Sequence, residues 1–373
     1  MWDVAVIGAG LSGIVCARRL VSAGYSVCIL DKSRGLGGRM ATRRISEQQG
    51  NEQLRVDHGL RYWQAKSPGL QTLTEELVEA GVLKPWAASE YEIQQVGELK
   101  KIAPEATPKY VTKTGMSAVA KHLLQQAKSD GTLAFEQGKN LLTNHRVVSL
   151  RYQQTHWTIE CARGEVVQAK RCAIAIPAPQ AADLLTSCLQ DEGAHSIQSS
   201  IEASIQQLES VSYFPCLTVM AGYKPQLSSQ VHKPDPTGWM VCDKVGTSTD
   251  WVGLDSSKRG QTSDATHPVV VIHSKPDFAQ RYLDTTDLQP AASVLLRANA
   301  RKLGDWIAQP DWFQIHRWRY AQVRSPYSSP VLAVTDSLIC GGDWCISPDT
   351  DGNVTSIDNA YSSGCALAKH LKK

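Results

Sequence analysis

Gly8-Ala9-Gly10-Leu11-Ser12-Gly13 lies between a short apolar run at residues 4–7 and a stretch in which apolar residues recur with helical spacing. Gly24 ends that stretch, and a second apolar run follows at residues 26–30. A strand, a GxGxxG turn, a helix and a second strand, in this order, predict the βαβ unit that opens a dinucleotide-binding domain. The motif alone is weak evidence, but this context makes another kind of glycine turn the poorer interpretation.

Each glycine of the motif has its own physical task. Gly8 makes the tight turn, Gly10 lets the backbone approach a pyrophosphate, and Gly13 allows the helix and the strand to pack closely. The helix directs unpaired N–H groups, near Ser12, and the positive end of its dipole toward the phosphates. We therefore expect these four residues to bind the cofactor.

The second strand ends at an acidic residue with the spacing of a ribose ligand. Asp31 stands 18 positions after Gly13, close to the distance that a ribose-binding acid needs. A carboxylate there accepts hydrogen bonds from the ribose hydroxyls and disfavours a 2′-phosphate. Asp31 is therefore a predicted cofactor residue.

Composition limits the classes of protein that the chain can represent. It has 373 residues, 42% of them hydrophobic, and a net charge of +3, which suggests roughly two domains and no attraction to nucleic acid or membrane surfaces. The ten cysteines include no CxxC pair, residues 1–7 show neither a basic leader nor a signal-peptide core, and no apolar run of membrane-spanning length occurs in the sequence. We expect a reduced, cytoplasmic protein. No metal-ligand cluster and no Ser/His/Asp triad stands out.

A second glycine-rich segment indicates which dinucleotide is bound. Gly35-Leu36-Gly37-Gly38-Arg39 resembles the GG-R signature of the superfamily that contains monoamine oxidase, phytoene desaturase and protoporphyrinogen oxidase. The resemblance implies FAD, with Gly38 close to its pyrophosphate and Arg39 paired with it. A guanidinium suits this role because it can bond a phosphate through two parallel N–H groups.

The C-terminal part of the chain carries a matching segment. An apolar run at residues 338–340 ends in Gly341-Gly342-Asp343, and the superfamily uses such a Gly-Asp pair at the ribityl and pyrophosphate region. The next helix would point its positive end at the flavin and stabilise the reduced anionic form. Val354-Thr355-Ser356 is expected near the isoalloxazine ring, and Asn353 and Val354 are expected to bind the cofactor.

Because both ends of the chain would bracket the flavin, we expect a discontinuous domain. The predicted fold class is α/β: a Rossmann-type FAD-binding domain of the glutathione reductase-2/p-hydroxybenzoate hydroxylase type, with an inserted α+β substrate domain that has a mixed sheet. The expected limits are residues 1–70, 110–205 and 325–373 for the FAD domain, and 71–109 and 206–324 for the substrate domain. Residues 237–263 are expected to be loops with one short strand.

Along essentially its whole length the chain resembles the renalase family. The segments that carry the resemblance include Asp31-Lys32, Asp57-His58-Gly59-Leu60-Arg61-Tyr62, His145-Arg146-Val147, Asp255-Ser256-Ser257-Lys258, Val271-Ile272-His273 and Arg317-Trp318-Arg319-Tyr320. The resemblance implies cofactor contacts from Lys32, from Val147 to adenine, and from Arg61, which stands where the family has Gln. It also implies an active site built from His273, Arg319 and Tyr62, with Tyr62 touching the flavin as well.

The family's chemistry sets the expected reaction. Renalase-like flavoenzymes oxidise the 2- and 6-dihydro isomers of NAD(P)H to NAD(P)+, pass the hydride to FAD, and form hydrogen peroxide from dioxygen. The expected partners are therefore a nicotinamide dinucleotide and dioxygen. Hydride transfer needs orientation more than acid–base residues. The sequence offers no clear attachment pattern for a covalent flavin, so we expect non-covalent FAD.

Three other interpretations remain open. An amine oxidase needs two facing aromatic rings beside the flavin, and the segment Gly352-Asn353-Val354 offers no convincing second ring. An FAD-dependent desaturase of a lipid or tetrapyrrole would favour a long apolar entrance. A non-enzymatic flavin-binding role is the third, and His273, on an apolar strand, would then be a structural residue.

Overall fold

The computed structural model describes residues 1–46, 53–95, 98–129, 132–190, 192–259, 267–346 and 355–372. The helices are α1 (Leu11–Val21), α2 (Pro68–Glu79), α3 (Ser117–Gln126), α4 (Ala178–Thr186), α5 (Gln198–Glu209), α6 (Ser228–Val231), α7 (Pro276–Gln280), α8 (Gln289–Leu303) and α9 (Ser356–Leu371). The strands are β1 (Trp2–Ile7), β2 (Val27–Asp31), β3 (Thr42–Ser46), β4 (Gln53–Asp57), β5 (Lys84–Pro85), β6 (Ser89–Gln95), β7 (Glu98–Lys101), β8 (Tyr110–Val111), β9 (Lys128–Ser129), β10 (Thr132–Leu133), β11 (Leu141–Thr143), β12 (Val147–Tyr152), β13 (Trp157–Cys161), β14 (Val166–Ile174), β15 (Ser212–Gly222), β16 (Trp239–Asp243), β17 (Thr249–Leu254), β18 (Val269–Ser274), β19 (Trp312–Ser325), β20 (Leu332–Thr335) and β21 (Leu338–Cys340).

The first sheet contains the predicted βαβ unit. β1 pairs in parallel with β2 and with β14, and β2 pairs in parallel with β11. One face packs against α1, α3 and α9, and the other face packs against α4 and α5. Apolar strands covered by helices on both faces are typical of a parallel sheet in an α/β fold. The Rossmann-type prediction is confirmed.

The two ends of the chain meet in this sheet. β21 pairs in parallel with β14, and α9 packs directly on α1. A Cβ atom on Gly364 of α9 would lie 2.6 Å from the Ser12 carbonyl oxygen, so glycine permits this close approach. The C-terminal segment therefore completes the domain that the N-terminal segment begins.

The second sheet has the order β19-β15-β18-β17-β16-β6-β7. Its pairs are antiparallel except for β16 with β6, so it is the mixed sheet that the fold prediction requires. One face packs against α7 and α8. The opposite face packs against the β3–β4 hairpin and Trp86, and so it is turned toward the first domain.

The positions of the strands bear on the predicted domain limits. The second sheet is built from strands within residues 89–101 and 212–325, while α2 packs in the core of the first domain. The limits themselves remain a prediction. The expectation of one short strand within residues 237–263 is wrong, because both β16 and β17 form there. Their Gly and Ser neighbours lie in the connections, and these residues obscured the strand pattern.

Two further properties concern the whole chain. All ten cysteines are free thiols, and most are buried. Among the described residues, no helix is both long and apolar enough to span a membrane.

Candidate active site

The GxGxxG turn has the geometry that its sequence predicts. Gly8 has φ +109°, and its N–H donates to the Leu30 carbonyl oxygen at 2.7 Å. A Cβ atom on Gly13 would lie 1.9 Å from the Gly8 carbonyl oxygen, so that position admits only glycine. By contrast, a Cβ atom on Gly10 would have no described heavy atom within 4 Å. Gly10 therefore faces open space at the start of α1.

The second glycine segment stacks on the first. Gly38 has φ +56°, and a Cβ atom there would lie 3.4 Å from the Gly10 Cα. The Gly37 N–H donates to the Ala9 carbonyl oxygen at 2.9 Å. Gly10 is the N-cap of α1, and no side chain caps the helix. Uncapped N–H groups next to two glycine turns fit a pyrophosphate.

Asp31 closes the other side of this turn. Its carboxylate accepts hydrogen bonds from the Ala9 N–H and the Ser33 N–H, both at 2.7 Å. The His145 N–H donates to the Asp31 carbonyl oxygen at 2.8 Å, which brings the segment before Val147 beside Asp31. Lys32 Nζ donates to Gln180 at 3.2 Å. The structure thus places Lys32 and the segment that leads into Val147 beside Asp31, while Val147 itself begins β12.

Arg39 and Asp343 lie against each other. The Arg39 guanidinium donates to both oxygens of the Asp343 carboxylate, at 2.6 and 2.5 Å, although 304 positions separate them. The Asp343 side chain is 3% exposed and that of Arg39 32%, so the guanidinium keeps an accessible side. The Gly342 N–H donates to Ser363 Oγ of α9 at 3.0 Å. Asn353 and Val354 lie outside the described residues.

The segment after β4 runs from this junction toward the second sheet. A Cβ atom on Gly59 would lie 2.1 Å from the Arg39 carbonyl oxygen, so the chain passes very close to the Arg39 turn. The Trp318 indole N–H donates to the His58 carbonyl oxygen at 2.9 Å. Residues 57–62 therefore lie between the glycine turns and the sheet that carries His273.

Arg61 contacts His273 directly. The Arg61 Nε–H donates to His273 Nδ1 at 3.1 Å, and the guanidinium forms an ion pair with Asp250. It also lies 5.2 Å from the ring centroid of Trp251. Burial, with the positive charge of Arg61, lowers the pKa of His273 well below 6.5. His273 is therefore neutral, and because its Nδ1 accepts, its proton is on Nε2.

His273 and Trp251 present two donors on the same face of the sheet. They are paired across β17 and β18, with ring centroids 5.3 Å apart. The Trp251 ring lies over Gly253, where a Cβ atom would be 2.3 Å from the indole. His273 Nε2 and Trp251 Nε1 are buried, and neither has a hydrogen-bond partner among the described residues. Leaving a buried donor unpaired costs about 1–3 kcal/mol, so each of these two donors is a candidate contact for a ligand.

The other two predicted catalytic residues differ in their placement. Tyr62 lies next to Arg61, with its ring 5.2 Å from the Lys109 ammonium, and burial raises its pKa to about 12. Arg319 is exposed and pairs with Asp284 at 2.6 Å. Arg319 is adjacent to Trp318 in β19, so the two side chains point to opposite faces of the sheet. The Trp318 side chain is the one that reaches His58. The structure does not bring Arg319 to His273.

The chain is similar to known sequence families and to solved structures. Residues 6–77 match the NAD(P)-binding Rossmann-like domain, and residues 84–371 match the flavin containing amine oxidoreductase family. The second match covers most of the chain. The chain belongs to the flavin-containing amine oxidoreductase family. FAD is accordingly its cofactor, and the glycine turns, Asp31 and Arg39 are the residues that would hold it.

Solved structures show how widely this oxidoreductase fold is shared. A putrescine oxidase bound to putrescine matches with a TM-score of 0.68 and 13% identity, over 100% of this chain and 99% of that one. Cyclohexylamine oxidase from Brevibacterium oxydans matches with a TM-score of 0.65 and 13% identity, over 100% of both chains. A putative protoporphyrinogen oxidase from an Exiguobacterium species matches with a TM-score of 0.67 and 11% identity, over 99% of both chains. At these identities the likeness concerns the fold.

The oxidoreductase also contains charged residues that the sequence did not identify as one group. Lys258 and Arg259 each pair with Asp255 at 2.7 Å, and both approach Asp57, at 3.8 and 3.4 Å. All four side chains are buried. Two acids and two bases balance in charge, and they join the end of β4 to the second sheet. Among the described residues no group of His, Cys, Asp and Glu could hold a metal ion.

Proposed function

We propose that this oxidoreductase oxidises the 2- and 6-dihydro isomers of NAD(P)H to NAD(P)+. The observation that carries the proposal is the pair of buried donors, His273 Nε2–H and Trp251 Nε1–H, which have no partner among the described residues. Bound FAD supplies the hydride acceptor, and dioxygen is the expected final oxidant. The protein contributes binding and orientation.

The chemistry of the two donors suits a nicotinamide better than an amine. The carboxamide oxygen of a dihydronicotinamide has two lone pairs and can accept from both donors. A neutral amine must donate its own N–H groups, and neither His273 Nε2 nor Trp251 Nε1 can accept. This polarity therefore supports a substrate that presents an acceptor.

The rigidity of the two donors supports the same function. Arg61 fixes the imidazole by its hydrogen bond, and the Trp251 ring is seated over Gly253. A ring held by two fixed donors keeps one orientation, and orientation provides much of the rate of a reaction that moves no separate proton. Tyr62, whose raised pKa keeps it protonated, is not needed as a base.

Amine oxidation is the second candidate, because it is the activity that the family description names. It predicts that amines reduce the flavin. Desaturation of a lipid or tetrapyrrole is a weaker alternative, since the bond that reacts lies in an apolar part of such a substrate, where the two donors have no counterpart.

The donor pair is tested by replacing His273. His273→Ala should slow anaerobic flavin reduction by a dihydroNAD isomer by about 10- to 100-fold, the effect of one lost hydrogen bond in a buried site. FAD content should be unchanged, because His273 touches the substrate and not the cofactor. His273→Gln, which restores an N–H donor, should recover part of the rate. Equal rates in wild type and both variants would refute the assigned role.

A further inference from the structure

The β3–β4 hairpin places a charged residue at the edge of an apolar contact. Ile45, Leu54 and Val56 are buried in the core that the hairpin shares with the second sheet. Arg43 is paired with Val56 and is two residues from Ile45, so it lies on the same face. Unlike them, Arg43 is exposed. The hairpin face thus changes from apolar to cationic where it approaches β19.

Across from Arg43 is a cluster of three rings that the sequence did not reveal. We call His58, His316 and Trp318 the ring cluster. His58 stacks on Trp318 with centroids 5.2 Å apart and an angle of 30°, and it meets the edge of His316 at 4.9 Å. The Arg43 Nε–H donates at 3.1 Å to Gln314 Oε1, two residues before His316 in β19. Arg43 therefore lies beside the ring cluster.

The ring cluster and the donor pair are aligned on one sheet face. His316 is directly paired with Thr218, and Thr218 is directly paired with His273. Directly paired residues point to the same face, and adjacent strands lie about 4.8 Å apart, which puts His316 about 10 Å from His273. A row of side chains thus runs from the buried donors to the exposed Arg43.

Arg43, at the outer end of this row, carries a charge that no carboxylate among the described residues pairs with. Its hydrogen-bond partner, Gln314, is neutral. Burial lowers the pKa of both His58 and His316 to about 4, helped by the charge of Arg43, so both rings are neutral at physiological pH. Arg317 directs its guanidinium to the Tyr282 and Thr285 carbonyls instead. Arg43 is available to an anion.

We propose that Arg43 and the ring cluster form the subsite for the ribose and pyrophosphate of the dinucleotide substrate. This inference rests on the proposed function, because it follows the substrate outward from the nicotinamide at His273. A guanidinium is the group that best pairs with phosphate oxygens, and the neighbouring rings give the sugar an apolar surface. The subsite would make the enzyme prefer a dinucleotide over a bare dihydronicotinamide.

The experiment compares Arg43→Gln with Arg44→Gln. Arg44 is the next residue of β3, is also exposed, and points to the opposite face, so it is the matched control. Each protein is reduced anaerobically by 6-dihydroNAD and by 1-methyl-1,6-dihydronicotinamide, which has no phosphate. Arg43→Gln should raise the apparent Kd for 6-dihydroNAD by about 10- to 100-fold, as for one lost charge-assisted hydrogen bond. The limiting rate, the truncated substrate and the Arg44→Gln variant should stay near wild-type values.

The outcomes separate the subsite from the proposed function. If wild type oxidises both compounds and Arg43→Gln leaves the Kd for 6-dihydroNAD unchanged, or weakens both compounds equally, the subsite is wrong and the proposed function stands. If wild type oxidises neither compound, the proposed function fails and the subsite with it. Salt gives a second readout. The Kd for 6-dihydroNAD should rise with ionic strength in wild type and much less in Arg43→Gln, and equal salt dependence would contradict the subsite.

Discussion

Arg61 links the segment of residues 57–62 to the second sheet. It donates to His273, pairs with Asp250 and lies over Trp251. Sequence resemblance places Arg61 at the flavin, where the renalase family has Gln. The contacts show a further role, because an arginine Nε–H decides which nitrogen of His273 carries its proton. A glutamine at this position could donate or accept, and so would not decide it.

Two substitutions should shift the pH dependence in opposite directions. Arg61→Gln removes a positive charge that, after burial, lowers the pKa of His273, so that pKa should rise. Protonated His273 keeps its Nε2 donor but adds a positive charge beside the nicotinamide, which becomes cationic as hydride leaves, so flavin reduction should slow as pH falls through this pKa. The acid limb of the rate profile should move to higher pH in Arg61→Gln. Asp250→Asn removes the counter-charge of Arg61, and its acid limb should move to lower pH.

The measurement is the rate of anaerobic flavin reduction from neutral to acidic pH. A shift of the acid limb in the same direction for both variants would contradict the assigned charges.

The sequence could identify His273 as a candidate, but not its contact with Arg61 or the ion pair of Arg61 with Asp250. Arg61 and Asp250 lie 212 and 23 positions before His273 along the chain, and only the pairing of β17 with β18 and the path of residues 57–62 bring them together.

In the turn before α1, we expect Gly10 to be needed for cofactor binding and Gly13 for folding. Gly10→Ala puts a methyl group into open space, so the apoprotein should lose no more than about 1 kcal/mol of stability, the effect of a poorer N-cap. FAD affinity should fall sharply, because the methyl group would occupy the place of the pyrophosphate. Gly13→Ala should destabilise even the apoprotein, since its Cβ would overlap the Gly8 carbonyl.

Thermal unfolding of the apoproteins and FAD titration test this contrast. An apoprotein of Gly10→Ala that unfolds like Gly13→Ala would contradict it, as would unchanged FAD affinity.

The glycine turn could be predicted from the sequence because three elements with strong periodicity surround it. β19 could not be predicted in this way. The aromatic, Arg and Gln side chains of residues 312–325 are mostly half-buried, on both faces of the strand. Its pattern therefore lacks the apolar alternation that marks a strand.

In the whole molecule, the two ends of the chain meet where we expect the flavin to bind. We predict that acid or heat releases free FAD from the purified yellow protein. Cys345, close to Asp343, is the cysteine nearest this junction in sequence, and burial raises the pKa of its thiol, which keeps it protonated and unreactive. Yellow colour that stays with the precipitated polypeptide would contradict non-covalent binding.

The meeting of the two chain ends in one sheet could be predicted from the glycine motifs at both ends. The packing of the second sheet against the first domain could not, because it depends on contacts between residues distant in sequence.

The identity of the electron donor can be measured directly. The purified enzyme is mixed anaerobically, in a stopped-flow spectrophotometer, with 2-dihydroNAD, 6-dihydroNAD, ordinary NADH or putrescine, and flavin bleaching is followed. We predict that the two isomers bleach the flavin far faster than NADH or the amine, because in the proposed function a carboxamide that accepts from His273 and Trp251 directs C2 or C6, and not C4, to the flavin. Rapid bleaching by putrescine, with none by the isomers, would contradict it and establish amine oxidation instead.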